Sequence, residues 1–234
     1  MRHFVKFYQL IKLITRSGCF LKINDISSQN LNNNSEIVAQ EIFKMFMIQF
    51  SSLKEITFFE PKNIPNITFT SYPGAKDYLK NLSKLSCCSD IYSEFFHQLS
   101  QICHNIQSLN INFGEIILDE LLDLISVQQN LKNLEMIQSY GSRDLTNIVK
   151  KLPNTLVKLS IVGGHSNIPL SFIAKFTNLR ELVLINYFES FNSKNLQYVI
   201  IPQLQIVKFQ YGCPSDEIIV RFLEINGNNK KKYV

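Results

Sequence analysis

The 234-residue chain contains no glycine-rich phosphate loop, no Gly-x-Ser-x-Gly elbow and no His-Glu-x-x-His pair. The short signatures of phosphate handling, serine acyl chemistry and helical zinc sites are therefore absent. No apolar stretch approaches the roughly 18 residues that a helix needs to cross a bilayer. The first residues, Met1 to Ile14, are interrupted by Lys6 and Lys12 before they can supply a signal-type apolar core, which disfavours secretion. Charged residues make up only 18%, leaving much of the expected surface to Asn, Ser and Gln. The formal charge of +5 includes the terminal Lys230-Lys231-Lys232, and the remaining charges are scattered among acids, so nucleic acid is not implied as a partner. Cys19, Cys87, Cys88, Cys103 and Cys213 form an odd set without framework spacing. That set argues against a disulfide scaffold and for a reducing compartment, cytoplasmic or nuclear.

What the chain does contain is one pattern repeated: an apolar residue followed three and five places later by two more. Its copies open at Leu53, Leu82, Ile106, Leu131, Leu156, Leu179 and Leu204, spaced 29, 24, 25, 25, 23 and 25 residues apart, with a degenerate first copy ending in Leu21-Lys22-Ile23. This period is that of leucine-rich repeats. The inner apolar positions alternate with polar ones, as in Leu109-Asn110-Ile111 and Leu159-Ser160-Ile161, the pattern of a strand with one buried face. A strand followed by a helix cannot bury its apolar side alone, whereas stacked units cover one another. The expected fold is an α/β leucine-rich-repeat solenoid of the irregular, ribonuclease-inhibitor-like kind. It forms one right-handed domain over 1–234, with about eight repeats, parallel strands on the concave face and helices on the convex face. Strands are expected near 22, 55, 84, 109, 134, 159, 182 and 207.

Between strands the apolar period changes to that of helices. One is expected to start at a Ser35 cap and to carry Ile37, Phe43 and Phe46; another starts at an Asp90 cap and carries Ile91, Phe95, Leu99 and Ile102. Further helices are expected at 116–129, 142–152, 169–176 and 215–225, and residues 1–17 are expected to hold an amphipathic N-terminal helix. Pro61, Pro65, Pro73 and Gly74 make 60–78 a surface loop, and 227–234 reads as a frayed or truncated basic end. Asn30 to Asn34 is low-complexity loop, and the sequons at Asn33, Asn66 and Asn81 are read as accidental in so Asn-rich a chain. The ninth place of the repeat holds Pro61, Asp90, Gly114, Ser139, Gly164, Tyr187 and Gly212. A regular internal Asn or Cys ladder is thus weak or replaced.

Tyr72 to Ala75, Leu82 to Asp90, Phe95 to His104, Ile125 to Leu131, Leu152 to Leu156 and Ile168 to Leu179 carry a family likeness. Through them the chain resembles the leucine-rich-repeat regions of the large fungal F-box-like families, especially those expanded in arbuscular mycorrhizal fungi. The resemblance implies a substrate-recognition subunit, in which an F-box recruits a Skp1-cullin ubiquitin ligase and the repeats hold the protein to be modified. Only about 17 residues precede the first expected strand, and they lack the Leu-Pro opening of an F-box. Skp1 is accordingly expected as a partner only if an F-box is supplied upstream.

Three groups of residues resemble chemical sites, and each also has a structural explanation. Cys87-Cys88 with His97, Cys103 and His104 does not match zinc spacing; Cys87 and Cys103 fit buried structural thiols, and Cys88 should face the inner surface. Cys103 and His104 are neighbours on a helix, about 100° apart, and poorly disposed as a nucleophile-base pair. Glu115, Asp119 and Asp123 fit a solvated helix face. No catalytic residue, cofactor or metal is therefore expected. The leading reading is a non-catalytic protein-binding module, the substrate reader of an SCF-type adaptor; a truncated family fragment and a thiol-dependent enzyme stay as alternatives. The partner is an unidentified protein on the concave face, with no membrane involved. The expected contact residues are Lys158, Val162, Glu181, Val183, Ile185, Tyr187, Ile206, Lys208 and Tyr211, the apolar ones forming a patch unless a loop or further repeats cover them.

Overall fold

The structure is a computed structural model that describes residues 11–15, 20–23, 44, 53–58, 72–114, 116–138, 145–163, 170–185, 193–227 and 232–233. It is an α/β protein in which parallel strands alternate with helices. The chain forms two compact units, one of residues 1–106 with 115–128, the other of 107–114 with 129–234.

The first unit contains β1 (Ile11–Thr15), β2 (Phe20–Ile23), β3 (Leu53–Phe58) and β4 (Lys84–Cys88). It also holds helices α1 (Ala75–Leu79), α2 (Ser93–Ile102) and α3 (Asp119–Ser126). β3 and β4 run parallel, with Ile56 beside Leu85, as the repeat requires. The beginning differs from expectation. Residues 11–15 are a strand, not part of a helix, and β1 pairs antiparallel with both β2 and β3. β2 is therefore no parallel first repeat. Ile11, Ile14 and Thr15 are β-branched, and β3 presents an edge whose backbone groups need partners; together these outweigh a weak helical periodicity.

Two helix starts also shift. α1 occupies the end of the expected 60–78 loop, entered through Gly74 at φ 81, the left-handed region that glycine adopts without strain. α2 begins at Ser93 with Tyr92 at its N-cap and no side-chain cap. Asp90 is not the cap: it lies three residues before the first turn, and its Oδ1 is buried without a hydrogen-bond partner. The helix expected from Ser35 lies outside the described residues, Lys44 apart, as do residues 60–71 of the loop.

The second unit is built on β5 (Ser108–Phe113), β6 (Asn133–Gln138), β7 (Lys158–Val162), β8 (Glu181–Ile185) and β9 (Ile206–Gln210), each parallel to the next. Leu109, Leu134, Leu159, Leu182 and Val207 fall in one register and are all buried. The crossovers carry α4 (Thr146–Lys151), two 3₁₀ segments (Leu170–Lys175, Ser193–Tyr198) and α5 (Asp216–Asn226). Their Ile148, Ile173, Phe176, Leu196, Val199 and Phe222 complete the core. Just after β7, Gly163 has φ 119, and a Cβ there would stand 2.4 Å from the Gln138 carbonyl oxygen, so the exit of β7, where it passes the end of β6, needs glycine. Lys232 and Tyr233 form β10, parallel to β9 opposite Ile206 and Val207, so these two residues are paired and not frayed. The exposed edge of β9 supplies the hydrogen-bonding groups that order them.

Candidate functional site

In the second unit the shared register turns the strand face opposite the core into three ladders. The first is Ser108, Asn133, Lys158, Glu181, Ile206; the second Asn110, Glu135, Ser160, Val183, Lys208; the third Asn112, Ile137, Val162, Ile185, Gln210. Successive ladders are about 7 Å apart, two residues along a strand.

The polar ladders are knitted across strands. Asn110 Nδ2 donates to Glu135 Oε2 at 2.6 Å, and Ser160 Oγ donates to Glu135 Oε1 at 3.5 Å. Lys158 Nζ and Lys208 Nζ lie 3.1 and 3.2 Å from the same Glu181 oxygen. Burial would raise the Glu181 carboxyl, but hydrogen bonds from Lys158 and Lys208 and their charges hold it below the usual carboxylate range. Two ammonium groups thus share one carboxylate.

The expected contact residues are divided by the structure. Lys158, Glu181, Ile185, Ile206 and Lys208 are half-buried on this face, and Tyr211 is 81% exposed with φ 64. Val162 and Val183 are only 9% and 6% exposed and offer little surface. Val162 is flanked in register by the larger Ile137 and Ile185. Lys208, opposite Val183, sends its stem toward Glu181 two residues back, along the flank of the valine. Tyr187 lies outside the described residues. Ile137, half-buried, extends the apolar ladder; its place in the alternation was readable, but its value came only from the register that sets it beside Val162.

The thiols occupy a different kind of place. Cys87, Cys103 and also Cys88 are buried. Cys88 is not open on the strand face as expected; it shares its surroundings with Asp90 and the buried Ser89, whose Oγ donates to the Ile116 carbonyl. Burial raises all three thiols, Cys88 to about 11 and Cys103 to about 12, with Asp90 adding to the effect at Cys88. Cys103 Sγ donates to the Leu79 carbonyl at 3.3 Å, and His104 Nε2 lies 3.0 Å from the Ser100 carbonyl oxygen, so the two neighbours address different backbone groups. Among the described residues no three His, Cys, Asp or Glu converge as a metal site. No described helix is long and apolar enough to cross a membrane. Asp119 and Asp123 lie on α3, and Glu115 is outside the described residues.

A second set of polar residues escaped the sequence reading. Gln128 Nε2 donates to the Cys103 and Leu124 carbonyls at 2.6 and 2.9 Å, while its Oε1 accepts from Ile106 N–H at 2.9 Å. Asn226 repeats the arrangement: Nδ2 donates to Val199 and Phe222 carbonyls at 2.8 and 2.9 Å, and Oδ1 accepts from Ile201 N–H at 2.8 Å. Each buried amide ties the end of a helix to the helix-to-strand link one period earlier. Cys103 and Gln128 stand three residues before the openings at Ile106 and Leu131. Both buried amides thus lie on the helix-to-strand side, away from the strand exits.

The chain matches no protein-family model, and no curated protein is significantly similar to it in sequence.

Proposed function

We propose that each unit is a stack of leucine-rich repeats and that the chain is a non-catalytic protein-binding module, the substrate reader of an SCF-type ubiquitin-ligase adaptor. Its partner lies on the strand face away from the core, the concave face of such a stack. The observation that carries this reading is the second unit's register. Five in-register strands set half-buried Ile137 and Ile185 beside a row of charges, with exposed Tyr211 following β9. Apolar anchors with charged neighbours are what a protein interface requires. Burial of Cys87, Cys88 and Cys103, and the upward displacement of their thiols, supports binding over thiol catalysis.

The test begins with a partner found by affinity capture on the full chain. Ile185→Ser with Lys208→Ser should weaken capture while thermal melting stays cooperative, and Asp119→Lys with Asp123→Lys on α3 should not. Loss of capture with the α3 pair alone would move the site to the helices. Cys103→Ser should retain capture; a turnover abolished by that change would replace the binding reading with an enzyme.

A further inference from the structure

Resting on the binding reading, the charge pattern says what kind of partner the second unit's strand face would hold. Lys158 and Lys208, with side chains 43% and 34% exposed, share the single carboxylate of Glu181. Lys132 and Arg180, directly before β6 and β8, are exposed and take part in no ion pair among the described residues. Four cations therefore gather here, Lys132, Lys158 and Arg180 at or just before the starts of β6, β7 and β8 and Lys208 midway along β9, against two carboxylates, Glu181 and Glu135. Glu135, on the same ladder as Lys208, already accepts hydrogen bonds from Asn110 and Ser160.

The far ends of the same strands carry the opposite character. Ile137 and Ile185 flank Val162 there, four residues from the first ladder, or about 13 Å along a strand. Tyr211, immediately after β9, is a bulky residue held at φ 64 with 81% of its surface exposed. A large side chain kept in the left-handed region and open to water is a conformation that binding can exploit.

We propose that this face binds an extended acidic segment of a partner protein, with carboxylates over Lys132, Lys158, Arg180 and Lys208 and an apolar residue about 13 Å further along against Ile185 and Tyr211. Three of the cations are lysines, and the four are spread over adjacent strands as separate point charges. That arrangement suits several carboxylates in a row better than one phosphate, which favours a convergent guanidinium fork. The apolar ladder gives a protein segment an anchor and fixes its direction.

The full chain is titrated by fluorescence anisotropy with a labelled peptide of roughly twelve residues, three aspartates followed four places on by two leucines, at low salt. Counterparts carry asparagine for aspartate, lysine for aspartate, or one phosphoserine among neutral residues. The acidic peptide should bind at least about tenfold tighter than the asparagine peptide and weaken between about 0.05 and 0.5 M salt. Lys132→Glu with Arg180→Glu, both exposed and so expected to melt as the wild type does, should remove that preference. Equal binding of the asparagine peptide, tighter binding of the lysine peptide, or binding indifferent to the charge reversals would overturn the proposal. Binding of the phosphoserine peptide alone would overturn it in favour of phosphate recognition. In parallel, a displayed library of random peptides is panned on the full chain. Enrichment without acidic bias would sink this inference and leave the binding reading standing, whereas no enrichment over urea-denatured chain would count against both.

Discussion

Ionising Glu181 at a partly dehydrated position is opposed by burial and made favourable by Lys158 and Lys208. Its folded value lies below its unfolded value, so its contribution is fully present above the ordinary carboxylate range and is lost as pH falls through the folded value. Urea unfolding of wild type and Glu181→Gln should differ by at most about 1 kcal/mol at pH 7, since both lysines are partly solvated. The difference should shrink below about pH 4; a gap of unchanged size at pH 3 would show that the stabilisation is not ionic. The cysteines give a second test at this scale. A thiol held up near 11 or 12 is almost wholly protonated at neutral pH, whereas Cys213 is exposed. A short pulse of an aromatic disulfide, read by peptide mass spectrometry, should modify Cys213 and leave Cys87, Cys88 and Cys103 untouched until urea unfolds the chain. Rapid labelling of Cys103 in the folded chain would reopen the thiol-enzyme alternative.

At the scale of elements, the strands were legible because each carries its own signal: Leu109-Asn110-Ile111 alternates, and so does the strand that contains it. Leu159 is buried between Leu134 and Leu182 in the central strand of the second unit. Its replacement by alanine should cost about 2 to 5 kcal/mol in denaturant unfolding, since both neighbours are held by their own strands and cannot close the cavity. A loss under 1 kcal/mol would mean a loose core. The strand β1 was not legible, because Ile11 and Ile14 suit a helix stripe as well as a strand and only the waiting edge of β3 decides between them. Gln128 and Asn226 were hidden for another reason. A lone amide in an Asn- and Gln-rich chain has no distinguishing neighbours, and its importance lies in three backbone groups from other parts of the chain. Gln128→Leu keeps the volume and adds apolar surface, yet it strands a buried N–H and removes a donor from two carbonyls. It should destabilise the chain by about 2 to 3 kcal/mol by urea titration. A neutral or stabilising outcome would show that water replaces the amide.

For the molecule as a whole, periodicity located the repeated strands but could not say which of their outer positions stay open. Val162 and Val183 read as surface from alternation, and Ile185 reads the same way; the first two are closed off by what stands on the adjacent strands, which no single repeat records. Alternation placed Lys158, Glu181 and Lys208 on this face, but only the register across strands gathers the two lysines around one carboxylate. The two side-chain amides have one more consequence, in time. The N–H groups of Ile106 and Ile201 lie in links between helix and strand, where deuterium ordinarily enters within seconds, yet each is bound by a residue 22 or 25 positions later. They can exchange only when the later segment lifts away. The two amides are therefore built-in clocks, one in each unit, and their isotope uptake under mild denaturant should follow the detachment of Gln128 or Asn226, not the fraying of the link itself. If the units open independently, the two clocks will run at different rates, and Asn226→Ala will speed only the one at Ile201.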